Sequence, residues 1–357
     1  MEKISEIKKK LIITMIVLLM IGCGQQTEGK SSVGGVSGSG LSGAMIEVGR
    51  SAEKAFYAFI ELMSDVLGFT AKVDTKKEDV GSYFNSLGAK LGEASEELEE
   101  VAVKAEGENS KDGLLKKAIR EAVDTAKKVL STLKGHVESL GTVGDSKPVG
   151  DAETSAKQGV AADDGALKKA LKALQEIVKL ATDAGVKALK AGTTTLSIDN
   201  VDNKDGAKIL GTDSAAAAAD VSKAAVILSA VSGEEVLASI VASKESDAAL
   251  SANADGNTTS LAFAKGGTNN HVANANTPKA ASVAGGIALR SLVKGGKLSA
   301  AAAPGSAGGQ GEVQKIGLTA ANKLLIAVED VIKKTVKNVL EKAKTKIDEA
   351  RNPKTEE

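Results

Sequence analysis

The final stretch of the chain constrains the fold most. Leu318, Ala321, Leu325, Val328, Ile332, Val336, Val339, Ala343 and Ile347 follow one another at helical spacing, which draws an apolar stripe down one face of an α-helix. The spacing predicts a helix over 318–350, stopped before Pro353, whose ring cannot continue it. At 1.5 Å per residue such a helix is about 50 Å long. A stripe of that length stays wet unless partners of similar length cover it. The chain is therefore committed to a helical bundle in which other long helices lie against the last one. Lysines crowd the later turns, where the helix dipole favours cations.

The partners are sought near the start. Ile46, Ala52, Phe56, Phe59 or Ile60, Met63 and Leu67 share one face of a helix predicted over 44–67, with Gly68 as its C-cap. A second helix follows Asp79 and carries Tyr83, Phe84, Leu87, Leu91, Leu98 and Val101. Glu96, Glu97, Glu99 and Glu100 lie on it, and their spacing reads as a solvated face rather than a calcium loop. A third helix is predicted over 113–133, capped by Asp112 and ended by Gly135, with His136 just past its end. Aromatic residues are 2% of the chain, with no Trp, and six of the seven lie between Phe56 and Phe84. Because aromatic rings bury the most area per side chain, the best-anchored core is expected there.

From Gly141 the character changes. Gly, Asp, Ser, Thr and Asn dominate, and Pro148, Pro278 and Pro304 fall between Gly141 and Gly311. Helices are predicted over 165–189, 214–229, 233–243 and 281–298, separated by long exposed loops, the part of a fold most tolerant of change. In the last of these, Arg290, Lys294 and Lys297 recur at i, i+4 and i+7 and make one basic face. Two readings stand for it. It binds a sulfated polysaccharide such as a host glycosaminoglycan, or it is a solvated, internally paired face.

Several function classes are set aside. The chain has 46 basic and 46 acidic residues and a formal net charge of zero, so nothing in its balance favours nucleic acid. His136 and His271 are far apart, and with Cys23 the sole cysteine they do not make a structural zinc site. No metal and no cofactor are expected. Gly24–Ser31 and Gly38–Gly43 match nucleotide-binding patterns by letter, but no strand can lead into either. No local motif joins a nucleophile to a histidine. A hydrolase reading would need a cleft with perturbed ionisable groups, and the sequence nominates none.

The start of the chain fixes the setting. Lys8, Lys9 and Lys10 lead into an apolar run from Leu11 to Ile21, followed by Gly22 and Cys23. A charged segment, a short apolar segment and a small residue before the cut form a secretory leader. The run is too short to span a ~30 Å hydrocarbon core. Met20-Ile21-Gly22 before Cys23 resembles a bacterial lipoprotein signal, though Met20 and Ile21 depart from the usual residues. The resemblance implies N-acyl and S-diacylglycerol modification of Cys23. With one cysteine no disulfide can close within the chain, and packing alone must hold it.

Longer segments carry a second resemblance. Val66-Leu67-Gly68-Phe69, Thr75-Lys76-Lys77-Glu78-Asp79-Val80 and Tyr83-Phe84 are similar to the N-terminal region of the variable large proteins of Borrelia spirochaetes. Ile287-Ala288-Leu289-Arg290-Ser291-Leu292-Val293-Lys294-Gly295-Gly296-Lys297-Leu298 is similar to that family's segment before the C-terminus, as is the stretch from Lys323 to Val331 in the last helix. The middle offers no comparable motif. The resemblance implies an outer-membrane surface lipoprotein that is not an enzyme. It also implies a major antigen in which one expressed variant replaces another, so that host antibodies fail.

The expected architecture is all-α. It is an elongated helical bundle with long N- and C-terminal helices packed together and a loop-rich distal region. The expected divisions are a leader over 1–22, lipidated Cys23 and tether over 23–43, and an N-terminal scaffold over 44–141. A loop-rich, variable, surface-exposed region over 142–311 and a C-terminal scaffold helix over 312–357 complete it. Expected partners are outer-membrane lipid through Cys23, host antibodies, further copies of the chain and, on the adhesin reading, host glycosaminoglycan. No nucleic acid is expected.

Overall fold

The computed structural model describes residues 67–107 and 113–351. The leader, Cys23, the tether, Asp112, Pro353 and almost all of the helix predicted over 44–67 lie outside the described residues.

The described residues are mostly helical, and the long helices follow the apolar stripes. Helix α1 is Lys77–Gly107, α2 is Gly113–Leu140 and α3 is Asp164–Asp183. Five shorter helices follow: α4 Ala218–Ser229, α5 Gly233–Val241, α6 Ser260–Lys265, α7 Asn269–Val272 and α8 Ala280–Leu292. The last, α9, is Gln310–Arg351, 42 residues or about 63 Å. A two-residue antiparallel ribbon pairs Ser197 with Asp202 and Ile198 with Val201, and a 3-10 helix runs Lys204–Leu210.

The spine of the unit is α2, which packs against both α1 and α9, while α3 covers α2 and α9. Leu87 and Leu91 of α1, Leu130, Leu133 and Val137 of α2 and Ile332 of α9 have no exposed surface. Each contributes roughly 1.5–3 kcal/mol of burial. Phe69, Tyr83 and Phe84 cluster, with ring centroids 4.8 and 5.3 Å apart. Tyr83 Oη donates to the Glu329 carboxylate of α9, whose other oxygen accepts from the Gly68 N–H. Asn322 exchanges two hydrogen bonds with the Ala71 backbone, 2.8 and 3.0 Å long.

Several helix boundaries differ from the sequence reading, among them the end of α3, at Asp183 rather than 189, and the start of α4, at Ala218 rather than 214. Helix α2 runs through Gly135 to Leu140, so His136 lies inside it. A glycine costs a helix only about 1 kcal/mol, and Val137 and Leu140, both buried, carry the stripe on. Helix α9 starts at Gln310, earlier than 318, because Val313 and Gln314 are already buried. Helix α8 ends at Leu292 rather than 298, since Val293 turns extended and Gly295 adopts φ +76°.

Candidate functional site: two buried cations beneath the loops

The middle of the chain is not uniformly exposed. Every residue from Ala280 to Ser291 is buried, so α8 is core and the expected surface exposure over 142–311 needs correcting there. Its alanines and glycines let neighbours come close, and a Cβ on Gly286 would meet Phe263 at 2.5 Å. Phe263, the one aromatic residue of the middle, is fully buried against it. Helix α8 packs on α5, α6 and α9 and forms the floor on which the loops rest.

Arg290 projects from the last turn of α8 and has no exposed surface. Its Nε donates to the Ala264 carbonyl at 2.9 Å and its Nη2 to the Phe263 carbonyl at 3.4 Å. Those carbonyls belong to the C-terminal end of α6, where a helix presents partial negative charge. No carboxylate contributes, and burial alone pushes the guanidinium down to about 9, which leaves it charged at neutral pH. Gly266, at φ +78°, and Gly159 make room for it, since a Cβ would lie 2.4 Å from Nη2 or 3.1 Å from Nη1.

Lys77 repeats the arrangement one step back toward the scaffold. It opens α1 and is 1% exposed. Its Nζ donates to the carbonyls of Val293 and Gly296 at 2.8 Å and of Arg290 at 3.4 Å, which closes the C-terminal end of α8. Burial pushes the ammonium down to about 8, with Asp145 and Asp151 opposing. Two buried cations therefore join three helices in series: α1 to α8 through Lys77, and α8 to α6 through Arg290.

Loop strands are stitched to the same place. Lys157 pairs with Ala300, Val160 with Lys297 and Ala152 with Leu298. The Ser299 hydroxyl is buried, donates to the Lys157 carbonyl and accepts from the Ala216 N–H, both at 2.9 Å. Exposure is left to the parts between these anchors, such as the ribbon turn at Asp199 and Asn200, at φ 52° and 63°, with Val201 58% exposed beside it.

The basic face expected from Arg290, Lys294 and Lys297 is not assembled. The i, i+4, i+7 argument needs a helix through residue 297, and α8 stops at Leu292. Arg290 turns inward, Lys294 lies 3.9 Å from Asp163 and Lys297 lies 3.8 Å from the buried Glu153. Lys77 received no role from sequence. A signal for Arg290 was present, because α8 is apolar on every face and any long side chain within it has to be buried. Of the acidic run, Glu99 accepts from Arg120 and Lys127 of α2 and so ties two helices rather than facing solvent alone. His271 lies in α7, with Nδ1 3.1 Å from the Leu250 carbonyl. Among the described residues no cluster of three or more His, Cys, Asp or Glu is arranged to hold a metal ion.

A floor of small residues, two cation clasps and exposed turns between them hold the loops in place. The family model described as Borrelia lipoprotein matches residues 52–347. The chain belongs to this family. It is 66% identical to Variable large protein 7 of Borrelia hermsii over 357 residues, 98% of this chain and 96% of that one. It is 61% identical to Variable large protein 18 of the same organism over 99% of this chain and 98% of the relative. Among solved structures it is similar to the Lyme disease variable surface antigen VlsE of Borrelia burgdorferi, at TM-score 0.66 and 25% identity. That match covers 87% of this chain and 99% of the other. The chain thus belongs with the variable large proteins, whose relatives are surface antigens and not enzymes.

Proposed function

We propose that the protein is a lipid-anchored outer-surface antigen that serves immune evasion by antigenic variation. One variant is expressed at a time, and a switch to another presents host antibodies with a new surface. Cys23, carrying an N-acyl group and a diacylglycerol, holds the chain in the outer membrane. Two or more acyl chains at ~0.8 kcal/mol per buried CH2 make such an anchor stable. The Gly- and Ser-rich stretch over 24–43 lifts the folded unit, and the loops between the anchors form the epitopes.

One observation carries this reading. The fold is shared with a surface antigen at only 25% identity, so three residues in four can change while the same frame persists. The physical reason lies in the site described above. The frame depends on buried apolar stripes, small residues and two cation clasps, whereas exposed loop substitutions usually stay within about ±0.5 kcal/mol. The glycosaminoglycan reading loses its support, because Arg290 is buried and Lys294 and Lys297 each face a carboxylate.

The test is protease shaving of intact cells followed by mass spectrometry. Released peptides should come from the exposed parts of 142–311, and a lipidated Cys23 peptide should stay with the cells. Complete protection until the outer membrane is broken would place the protein inside the envelope and end the antigen reading.

A further inference from the structure

The bundle carries opposite charge on two helices that flank the same neighbour. Along α1, the only charged residues between Leu91 and Glu100 are glutamates, and Glu93, Glu96 and Glu100 are exposed. Glu97 is half-buried among them, and its carboxyl is held above the usual range by burial first and then by Glu100 and Glu93. Lys90 faces this ridge, 2.7 Å from Glu93. Along α9, Lys333, Lys337 and Lys344 recur at i, i+4 and i+11 on one exposed side with Lys334 beside them, Lys342 and Lys346 stand on the side toward the α2 groove, and Glu341 is the one acidic residue between them. It lies 3.7 Å from Lys337.

Helix α2 sets the two faces at one height. Glu99 of α1 accepts from Arg120 and Lys127 of α2. Between those two positions, Ala122 and Ala126 of α2 line a groove with Val339, Lys342, Ala343 and Lys346 of α9. The glutamate ridge and the lysine ridge therefore stand level along the bundle, on opposite neighbours of α2.

We propose that copies of this chain associate sideways, the lysine face of α9 in one copy meeting the glutamate face of α1 in the next. The two faces lie on different helices, so the contact is heterologous and repeats from copy to copy instead of closing on itself. Copies held in one membrane share its plane, and where they stand parallel the level faces meet. The association is electrostatic and works as a coat at high surface density. It rests on the surface-display reading for that density and for the shared membrane.

The sole cysteine allows a test that does not depend on cellular lipidation. The full chain, half of it labelled with 15N, is coupled through Cys23 to a maleimide lipid in neutral phosphatidylcholine vesicles. A carbodiimide then joins carboxylates to nearby amines. The expected result is a ladder of joined copies whose mixed-isotope links map to Glu93, Glu96 or Glu100 on one side and Lys333, Lys334, Lys337 or Lys344 on the other. The yield should fall on the order of tenfold between low salt and 1 M salt, where screening reaches ~3 Å. The variant E93K/E96K/E100K alone and the variant K333E/K337E/K344E alone should each lose the ladder, and an equimolar mixture of the two should restore it.

The mixture separates charge pairing from misfolding, since two misfolded variants would not rescue each other. Links that map elsewhere, a ladder indifferent to salt, or no rescue on mixing would overturn the proposal. So would the absence of a ladder on neutral vesicles together with recruitment of the chain to anionic phosphatidylglycerol vesicles, which would assign the lysine face to lipid. A protein that forms the ladder here but proves inaccessible on intact cells would refute surface display and leave the pairing intact.

Discussion

The scaffold and the loop-bearing middle hold themselves together by different means. In α1, α2 and α9 the interior is leucine, valine and isoleucine, and charged groups such as Glu99, Arg120 and Lys127 meet at the surface. In the middle many alanines stand among the leucines, valines and isoleucines of the interior, and charge has moved inside: Arg290 of α8 is fully buried, and Lys77 reaches in from the first turn of α1 to the end of α8. The difference follows from area. Small side chains bury little surface each, and loops have no ladder of neighbours for their carbonyls. Donors brought in from elsewhere then supply the directional contacts that apolar burial cannot. The scaffold is consequently tolerant at its surface and intolerant in its stripe, while the middle is tolerant between its clasps and intolerant at them.

The largest expected effect tests whether the clasps matter as much as the stripe. Arg290→Ala removes the donors to the Phe263 and Ala264 carbonyls and leaves a cavity, so it should destabilise by about 3–5 kcal/mol. Leu130→Ala in the scaffold should cost roughly 2–5 kcal/mol. Urea denaturation of the two variants decides the matter. A loss well under 1 kcal/mol for Arg290→Ala would mean that the middle is decoration on a self-sufficient bundle.

Lys77 sharpens the comparison through pH. Burial lowers the folded ammonium from 10.5 to about 8, so between those values the unfolded chain binds more protons than the folded one. Stability should therefore rise with pH across that window, by up to about 3 kcal/mol, and the gain should disappear as pH falls through 8. The difference in melting temperature between wild type and Lys77→Met, followed from pH 7.5 to 10.5, isolates this from the surface lysines. A difference that stays constant with pH would show that Lys77 does not carry the shift.

The smallest effect is expected at the ribbon turn. Val201→Ser, on a side chain 58% exposed, should change stability by less than about 0.5 kcal/mol. Urea midpoints compared with wild type check it. A larger loss would place the turn with the clasps and blur the division between the two regions.

Much of the frame was legible before any coordinates. The stripe from Leu318 to Ile347, the apolar spacing of α1, α2 and α3 and the change of character after Gly141 are all periodic or compositional signals, and each helix forms where its stripe lies. Boundaries were legible only where the stripe itself ended. Gly135 looked like a stop, yet Val137 and Leu140 carry α2 across it, because burying two side chains outweighs one glycine. The run Arg290, Lys294, Lys297 looked like a face, yet spacing has meaning only while the helix lasts, and Gly295 ends the geometry on which it depended.

By itself, then, the sequence determined a mostly helical frame with a long C-terminal helix, a single cysteine behind a short apolar run, and the resemblance to a family of variable surface lipoproteins. Only the tertiary structure decided where the charges lie. Arg290 and Lys77 are 213 positions apart, and no local period links a side chain to the carbonyl end of a distant helix. That link exists only once α8 is packed between the scaffold and the loops, because the dry interior is what makes an open carbonyl costly and a buried cation useful.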